Sequence, residues 1–365
     1  MTALLTTPDD VDVVRTRHDA DPERPPLLVV DALTAYLDRR GLDGGDLAWR
    51  RIGDGQANVT YELRRGPHRV VLRRGPRPPF PPSAHDMVRE ARIVGTVGAH
   101  GVPAARVVAV CDDADVIGSP FYLMDFVDGH VVTDALPPGF DTGRARGELV
   151  LTAVDALAAL HAVPLEGDVA TLGRPEGYLE RQIRRFRELW PLNTRRELPE
   201  MDRLATRLAA TKPDATSGRA IVHGDYRIGN LMYAAPDRLA AILDWEMATL
   251  GDPLADLGYL LATYSDPAWP STVMDLTPVT AGPGFPSREE LAARYASRSS
   301  LPIDALAWYE ALALWKAAVF CEAMLTRWRA GERPGDTFAP TLVEGVPALA
   351  AAAHDALDRN ARSRS

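Results

Sequence analysis

The sequence predicts an α+β chain in two lobes, an antiparallel sheet first and a mostly helical body after it. Three observations carry that expectation. The chain has 365 residues, and single cores stop growing near about 250 to 300 residues, so two bodies are the first reading. Between Trp49 and Leu72 apolar and polar residues alternate around glycine-containing turns, as antiparallel strands do. Beyond about residue 128 the apolar residues recur instead at steps of three and four, the period of helices packed on a core.

Taken in order, residues 1–26 are polar, acidic and proline-containing, and read as an N-terminal tail on the surface. Leu27, Val30, Leu33 and Leu37 have helical spacing, with Gly41 as a stop. The strands of 49–72 follow. The prolines of GPRPPFPPSAH lack backbone donors and disfavour helix in the preceding residues, so 74–85 reads as a loop. Ser83 then caps a helix carrying 87–97. Further strands are expected at 106–111 and 120–126, which closes a first lobe of residues 27–127. The second lobe, 128–365, carries helical patterns at 149–163, 178–190, 201–210, 305–330 and 341–358. Within 305–330, Leu314, Ala318, Cys321, Leu325 and Trp328 form a core-facing stripe.

Composition narrows the function classes. Hydrophobic residues at 46% and charged ones at 25% are ordinary for a soluble globular chain, which excludes wholesale disorder. A net charge of −9 argues against nucleic acid or a membrane surface as partner, because phosphate backbones are met by basic patches. Cys111 and Cys321 are the only cysteines, too few for a disulfide framework or a CxxC zinc site, and they fit a reducing compartment. The N-terminal residues lack the basic start and apolar run of a signal peptide, and no stretch is apolar for about 18 residues, so a cytoplasmic location is expected. Oligomeric state is left open.

The chemistry concentrates in IVHGDYRIGNLMYAAPDRLAAILDWE, residues 221–246. Asp225 and Asn230 are spaced D-x4-N, and a hairpin turning at Ala235, Pro236 and Asp237 would return Asp244 towards Asn230. Phosphoryl transfer demands positioning and charge neutralisation, and two acids with an amide supply both through bound cations. On this reading Asp225 orients the attacking hydroxyl and accepts its proton. Asn230 and Asp244 hold Mg2+, Arg227 reaches the transferring phosphate, and His223 anchors the loop. A lone HGD would be surface punctuation, and a metallohydrolase reading of His223 and Asp225 fails for want of ligand spacing at the other histidines, such as His161 and His354.

HGDYRIGN, ILDWE and GDPLADLGYL, in that order, resemble the aminoglycoside phosphotransferase and choline kinase-like family, a branch of the protein-kinase-like fold. GQANVTYEL, VVLRRGP, PSAHDMVREARIV and PFYLMDFVDGH look most like the kinase-like domains related to those fused to some acyl-CoA dehydrogenases. The likeness runs over about residues 49–262 and is specific as a set. It implies a bilobal kinase-like fold with a packed helix on the sheet, and transfer of the γ-phosphoryl group of ATP or GTP, with Mg2+, to the hydroxyl of a small molecule. Gly53, Gly55 and Asn58 resemble the loop over the phosphates, Asn58 standing where protein kinases carry a third glycine. A plain hairpin turn competes for the two glycines. Arg73 occupies the place of the strand lysine, a longer and planar cation that still binds phosphate. Glu90 resembles its helix partner, against the bland reading of a solvated helix acid. The Asp125 carbonyl and Val127 amide correspond to the adenine hinge, and Asp256 to a buried acid that fixes the catalytic loop.

The acceptor suggested by the resemblance is a hydroxyacyl-CoA or another small alcohol. A true aminoglycoside phosphotransferase and a catalytically idle nucleotide-binding module are the rivals; Asp225, Asn230 and Asp244 speak against the idle module, Arg73 for it. Arg181, Arg184, Arg185 and Arg187 read as a solvated helix face or as the lining of an anionic-substrate site. Lys316, Trp315 and Tyr309 read equally as core or as substrate lining.

Overall fold

Alternation in the first third of the chain is realised as a five-stranded antiparallel sheet. The computed structural model describes residues 12–53, 58–77, 85–213, 218–332 and 334–363, and the chain divides into two units, Met1–Asp128 and Gly129–Ser365. In the first, β1 (Val13–Val14) pairs in parallel with β2 (Leu28–Val29). The Asp12 carboxylate forms ion pairs with Arg24, Arg51 and Arg77. The stretch read as a tail is therefore attached from Asp12 onward. Leu27, read as the first position of a helix, lies before β2; α1 (Val30–Arg39) starts later and stops near Gly41, whose φ of 70° suits glycine.

The sheet is built from β3 (Ala48–Arg51), β4 (Val59–Arg65), β5 (His68–Arg74), β6 (Val107–Cys111) and β7 (Phe121–Asp125), in the order β3-β4-β5-β7-β6. Alternation gives it two apolar faces. One packs Tyr61, Leu63, Leu72 and Phe121 against Leu33, Tyr36 and Leu37 of α1. The other packs Tyr122 against Met87 and Ala91 of α2 (Met87–Ala99). Each such side chain contributes roughly 1.5–3 kcal/mol by leaving water. Asp86 caps α2, accepting from the Arg89 amide at 2.9 Å; Ser83, proposed for that role, lies outside the described residues, as does much of the proline run. Arg74, expected in a loop, ends β5 and is buried, its guanidinium donating to the carbonyls of Leu27, Ile117 and Gly75. Burial lowers its pKa to about 10.

The second unit is mostly helical. Its elements are β8 (His130–Val131), α3 (Gly143–His161), α4 (Tyr178–Asn193), α5 (Pro199–Ala210), β9 (Ala220–Val222), β10 (Leu231–Ala235), β11 (Arg238–Ile242), β12 (Thr249–Gly251), α6 (Leu254–Thr263), α7 (Arg288–Arg298), α8 (Leu306–Arg329) and α9 (Leu342–Ser363). Strands β10 and β11 form the expected hairpin, with β8 on the outer side of β10, and β12 pairs with β9. Helix α8 packs on α4, α5, α6 and α9. Leu314, Ala318, Cys321 and Leu325 are buried as the stripe requires, whereas Trp328 is only partly covered. Trp308, Tyr309, Leu312 and Trp315 are buried too, so α8 is enclosed well beyond one stripe. Among the described residues no helix is long and apolar enough to cross a membrane.

Candidate active site

The loop between β9 and β10 is held from below by one carboxylate. Asp256, in the first turn of α6 and 1% exposed, accepts the His223 amide on Oδ2 at 2.6 Å and the Gly224 amide on Oδ1 at 2.8 Å. His223 fixes the loop from its side. Its Nε2 donates to the Leu243 carbonyl at 2.9 Å and its Nδ1 accepts the Asp225 amide at 3.2 Å, one self-consistent neutral tautomer. Gly224 sits at φ 87°, where a Cβ would lie 2.8 Å from the Met247 carbonyl oxygen, so a side chain there is excluded both by conformation and by space.

These constraints place Asp225 and Asn230 together. The Asn230 amide nitrogen donates to the Asp225 carboxylate at 2.7 Å and to its backbone carbonyl at 2.9 Å. Arg227 Nε lies 3.8 Å from the other carboxylate oxygen. The hairpin registers Leu231 against Ile242, and the Leu243 amide donates to the Asn230 carbonyl at 2.8 Å, so Asp244 follows directly on the residue bonded to Asn230. Asp244 adopts φ 63° and ψ 66°, a left-handed conformation that aspartate tolerates better than most residues. Asn230 Oδ1 makes no hydrogen bond among the described residues. One amide oxygen and one carboxylate are hard donors of the kind Mg2+ takes, with phosphate and water completing its shell. Among the described residues no cluster of three His, Cys, Asp or Glu side chains offers a separate metal site.

The residues expected to meet the nucleotide belong to the first unit. Arg73 on β5 and Glu90 on α2 form a buried ion pair, Nε to Oε1 at 2.7 Å, and Tyr122 donates to Glu90 at 3.1 Å. Glu90 is thus no solvated helix acid. Gly53 has φ 75°; Gly55 lies outside the described residues. Asn58 is buried, and its carboxamide oxygen meets His85 Nδ1 at 2.8 Å, which ties that side chain to the protein. Asp125 ends β7 with its carboxylate clasped by Arg106, and the Val127 amide makes no hydrogen bond among the described residues.

Residues 48–291 match the phosphotransferase enzyme family over two thirds of the chain. The chain belongs to that family. It is 30% identical over 317 residues to mouse acyl-CoA dehydrogenase family member 11, covering 84% of this chain but only 40% of that protein. A crystal structure provisionally assigned as an aminoglycoside phosphotransferase, from Ralstonia eutropha, superposes with a TM-score of 0.76 at 28% identity, covering 90% of this chain and 98% of the other. The aminoglycoside phosphotransferase APH(4)-Ia, solved with ADP and hygromycin B, shares the fold at 13% identity, with a TM-score of 0.57 and coverage of 88% and 98%. The fold of this phosphotransferase-family chain is accordingly α+β, bilobal and kinase-like.

Two residues around the loop, His161 and Tyr259, had no role in the reading of the sequence. His161 of α3 is buried, bridging Asp256 Oδ2 at 3.2 Å and the Tyr295 hydroxyl at 2.7 Å. Tyr259 stands one turn after Asp256 on α6, and its phenol is pushed well up by burial and then by the Asp225 carboxylate it faces. The i, i+3 spacing within ADLGY was the available signal. Lys316 and the buried Tyr309 of α8 line the same recess as Tyr259 and Gly224, Tyr309 donating to Asp252 at 2.7 Å, while Trp315 is core. In the arginine run, Arg181 is spent on the carbonyls of Arg174 and Glu176, and Arg184, Arg185 and Arg187 are exposed.

Proposed function

We propose that the chain is a small-molecule kinase, moving the γ-phosphoryl group of ATP or GTP, with Mg2+, to a substrate hydroxyl. The observation that carries this reading is the Asp225 carboxylate, oriented by Asn230 on a loop that Asp256 and His223 fix. Asp225 aligns the hydroxyl and takes its proton while the hydroxyl oxygen bonds to phosphorus and the nucleoside diphosphate leaves. Arg227 offsets charge on the group in transit. Asn230 and Asp244 are the metal ligands, and the bound ion supplies charge neutralisation at the phosphates. In the first unit Arg73, steadied by Glu90, would meet the phosphates together with Gly53 and Asn58, and the Asp125 carbonyl with the Val127 amide would receive the base; Gly55, given the same role from sequence, lies outside the described residues. A hydroxyacyl-CoA or another small alcohol is the acceptor class supported by the likeness to a protein named for acyl-CoA dehydrogenation.

The test uses γ-labelled ATP and GTP with Mg2+ and a panel of hydroxyacyl-CoAs, amino alcohols and amino sugars. Transfer to one class is expected, and Asp225→Ala should reduce turnover by about 10²–10⁴ while nucleotide affinity changes little. Full activity in Asp225→Ala would refute the assignment of the base. Nucleotide binding without transfer to any acceptor would favour an idle module.

A further inference from the structure

Helix α8 carries Glu310, Lys316 and Glu322 into the helical unit, and the two acids meet counterions. Glu322 is clasped by Arg196 at 2.7 and 2.9 Å, and Glu310 faces Arg359 at 3.1 Å. Lys316 makes no ion pair or hydrogen bond among the described residues; its ammonium lies 4.9 Å from the centre of the Phe186 ring. A partly buried cation without a hydrogen-bonding anion is costly, and such groups are usually paired. The side chain lines a recess of about 20 Å³ with Tyr178, Gly224, Asp256, Tyr259 and Tyr309. That volume admits one water or one ligand oxygen and excludes a ring.

The charged groups that act on the Lys316 ammonium are Asp256, Arg185 and Asp225, and none of them hydrogen-bonds to it. Burial lowers the Lys316 pKa to about 8; Asp256 and Asp225 oppose the shift and Arg185 adds to it. The chain has 41 lysines and arginines, yet only Lys212 and Lys316 are lysine, and Lys212 is paired with Glu180 at 3.0 Å.

We propose that Lys316, with Tyr259 and Arg185 beside it, binds an anionic oxygen of the acceptor, a carboxylate or phosphate carried close to the hydroxyl that Asp225 activates. This rests on the kinase reading above and narrows its substrate class to free hydroxy acids and phosphorylated alcohols, because a hydroxyacyl thioester carries no anion beside its hydroxyl. Polycationic amino sugars are disfavoured by the same charges.

Competitive acetylation of the wild-type protein tests the subsite without turnover, because Lys212 serves as internal reference. The probes are 3-hydroxybutyrate, inorganic phosphate, 1,3-butanediol and 4-amino-2-butanol. Lys316 should react, and 3-hydroxybutyrate should slow its acetylation at least about fivefold with Lys212 unchanged, while the diol and the amine give no protection. Protection by phosphate as well assigns a general oxyanion site on the acceptor. An unreactive Lys316, protection by phosphate but not by the hydroxy acid, or equal protection by all four probes or by none would overturn the proposal. In the transfer assay Lys316→Met should lose at least about tenfold in kcat/KM for an anionic acceptor and leave the nucleotide KM unchanged; an equal loss on neutral alcohols would instead show a structural lysine. If the wild type transfers phosphate but anions give no protection, the subsite falls and the kinase reading stands. If anions protect but no acceptor is phosphorylated, the subsite stands and the kinase reading falls.

Discussion

Asp256 holds the loop with both of its oxygens, and this makes it sensitive to the smallest change. In Asp256→Asn one oxygen becomes an NH2 group that faces either the Gly224 amide or the His223 amide, two donors opposed in a buried place. An unmet buried donor costs about 1–3 kcal/mol. Chemical denaturation should show a loss in that range, and turnover should drop more than nucleotide affinity; unchanged stability would show that the loop is held by other contacts. Asp244 is strained as well as charged. Asp244→Ala should weaken Mg-nucleotide binding in a calorimetric titration, whereas nucleotide binding without Mg2+ should change little. These residues were legible in the sequence because their spacing is local, with only a hairpin between Asn230 and Asp244. His161 was not. It sits in an apolar helical run and meets Asp256 across 95 positions of chain, a contact that no local pattern encodes.

At the level of elements, charge and close packing make separate predictions. Glu62 on β4 is fully enclosed and receives Arg50 from β3, Arg64 from β4 and Arg69 from β5. Burial pushes its pKa up, but hydrogen bonds from Arg69, Arg64 and Arg50 outweigh burial and hold it at about 2, below the ordinary 4.5. A depressed acid contributes stability that is complete above its unfolded pKa and is lost as pH falls from about 4.5 to 2. The shift corresponds to at most about 3 kcal/mol, and less after solvent screening of arginines that are 34–50% exposed. Glu62→Gln should therefore be less stable than wild type at pH 7, with the gap closing towards pH 2; a constant gap across that window would refute the linkage.

Helix α6 meets α8 at Gly258, where an added Cβ would lie 2.7 Å from the Tyr309 backbone. Gly258→Ala should cost about 1–3 kcal/mol by forcing the helices apart, read as a lowered Tm. Helices α4, α5 and α8 were predictable to within three residues at each end, whereas α3 begins six residues before the expected start and α9 runs five past the expected end. Helix α6 was missed because LADLGYLLAT is covered on nearly every side and shows no 3.6-residue period. Helix α7 is short and polar, and its visible mark is the Ser287 and Glu290 capping box. β1 and β8 are two-residue strands, too brief for alternation to show.

On the proposed assignment the two units divide the work by residue type as well as by position. The nucleotide residues proposed for the first unit rely on backbone groups and on one arginine braced by one glutamate, while the second unit holds side chains fixed to each other. Removing the brace should then act on one substrate alone. In Glu90→Gln the Arg73 guanidinium keeps its charge but loses its counterion at 2.7 Å, and Tyr122 keeps a hydrogen-bond acceptor in the amide oxygen. Loss of that nearby carboxylate should raise the nucleotide KM by about tenfold, the effect of roughly 1.4 kcal/mol. The acetylation rate of Lys316 and its protection by 3-hydroxybutyrate should stay as in the wild type, because every group around that recess lies in the other unit. A parallel loss of both would show that the brace also organises the acceptor side, and the division of labour between the units would have to be given up.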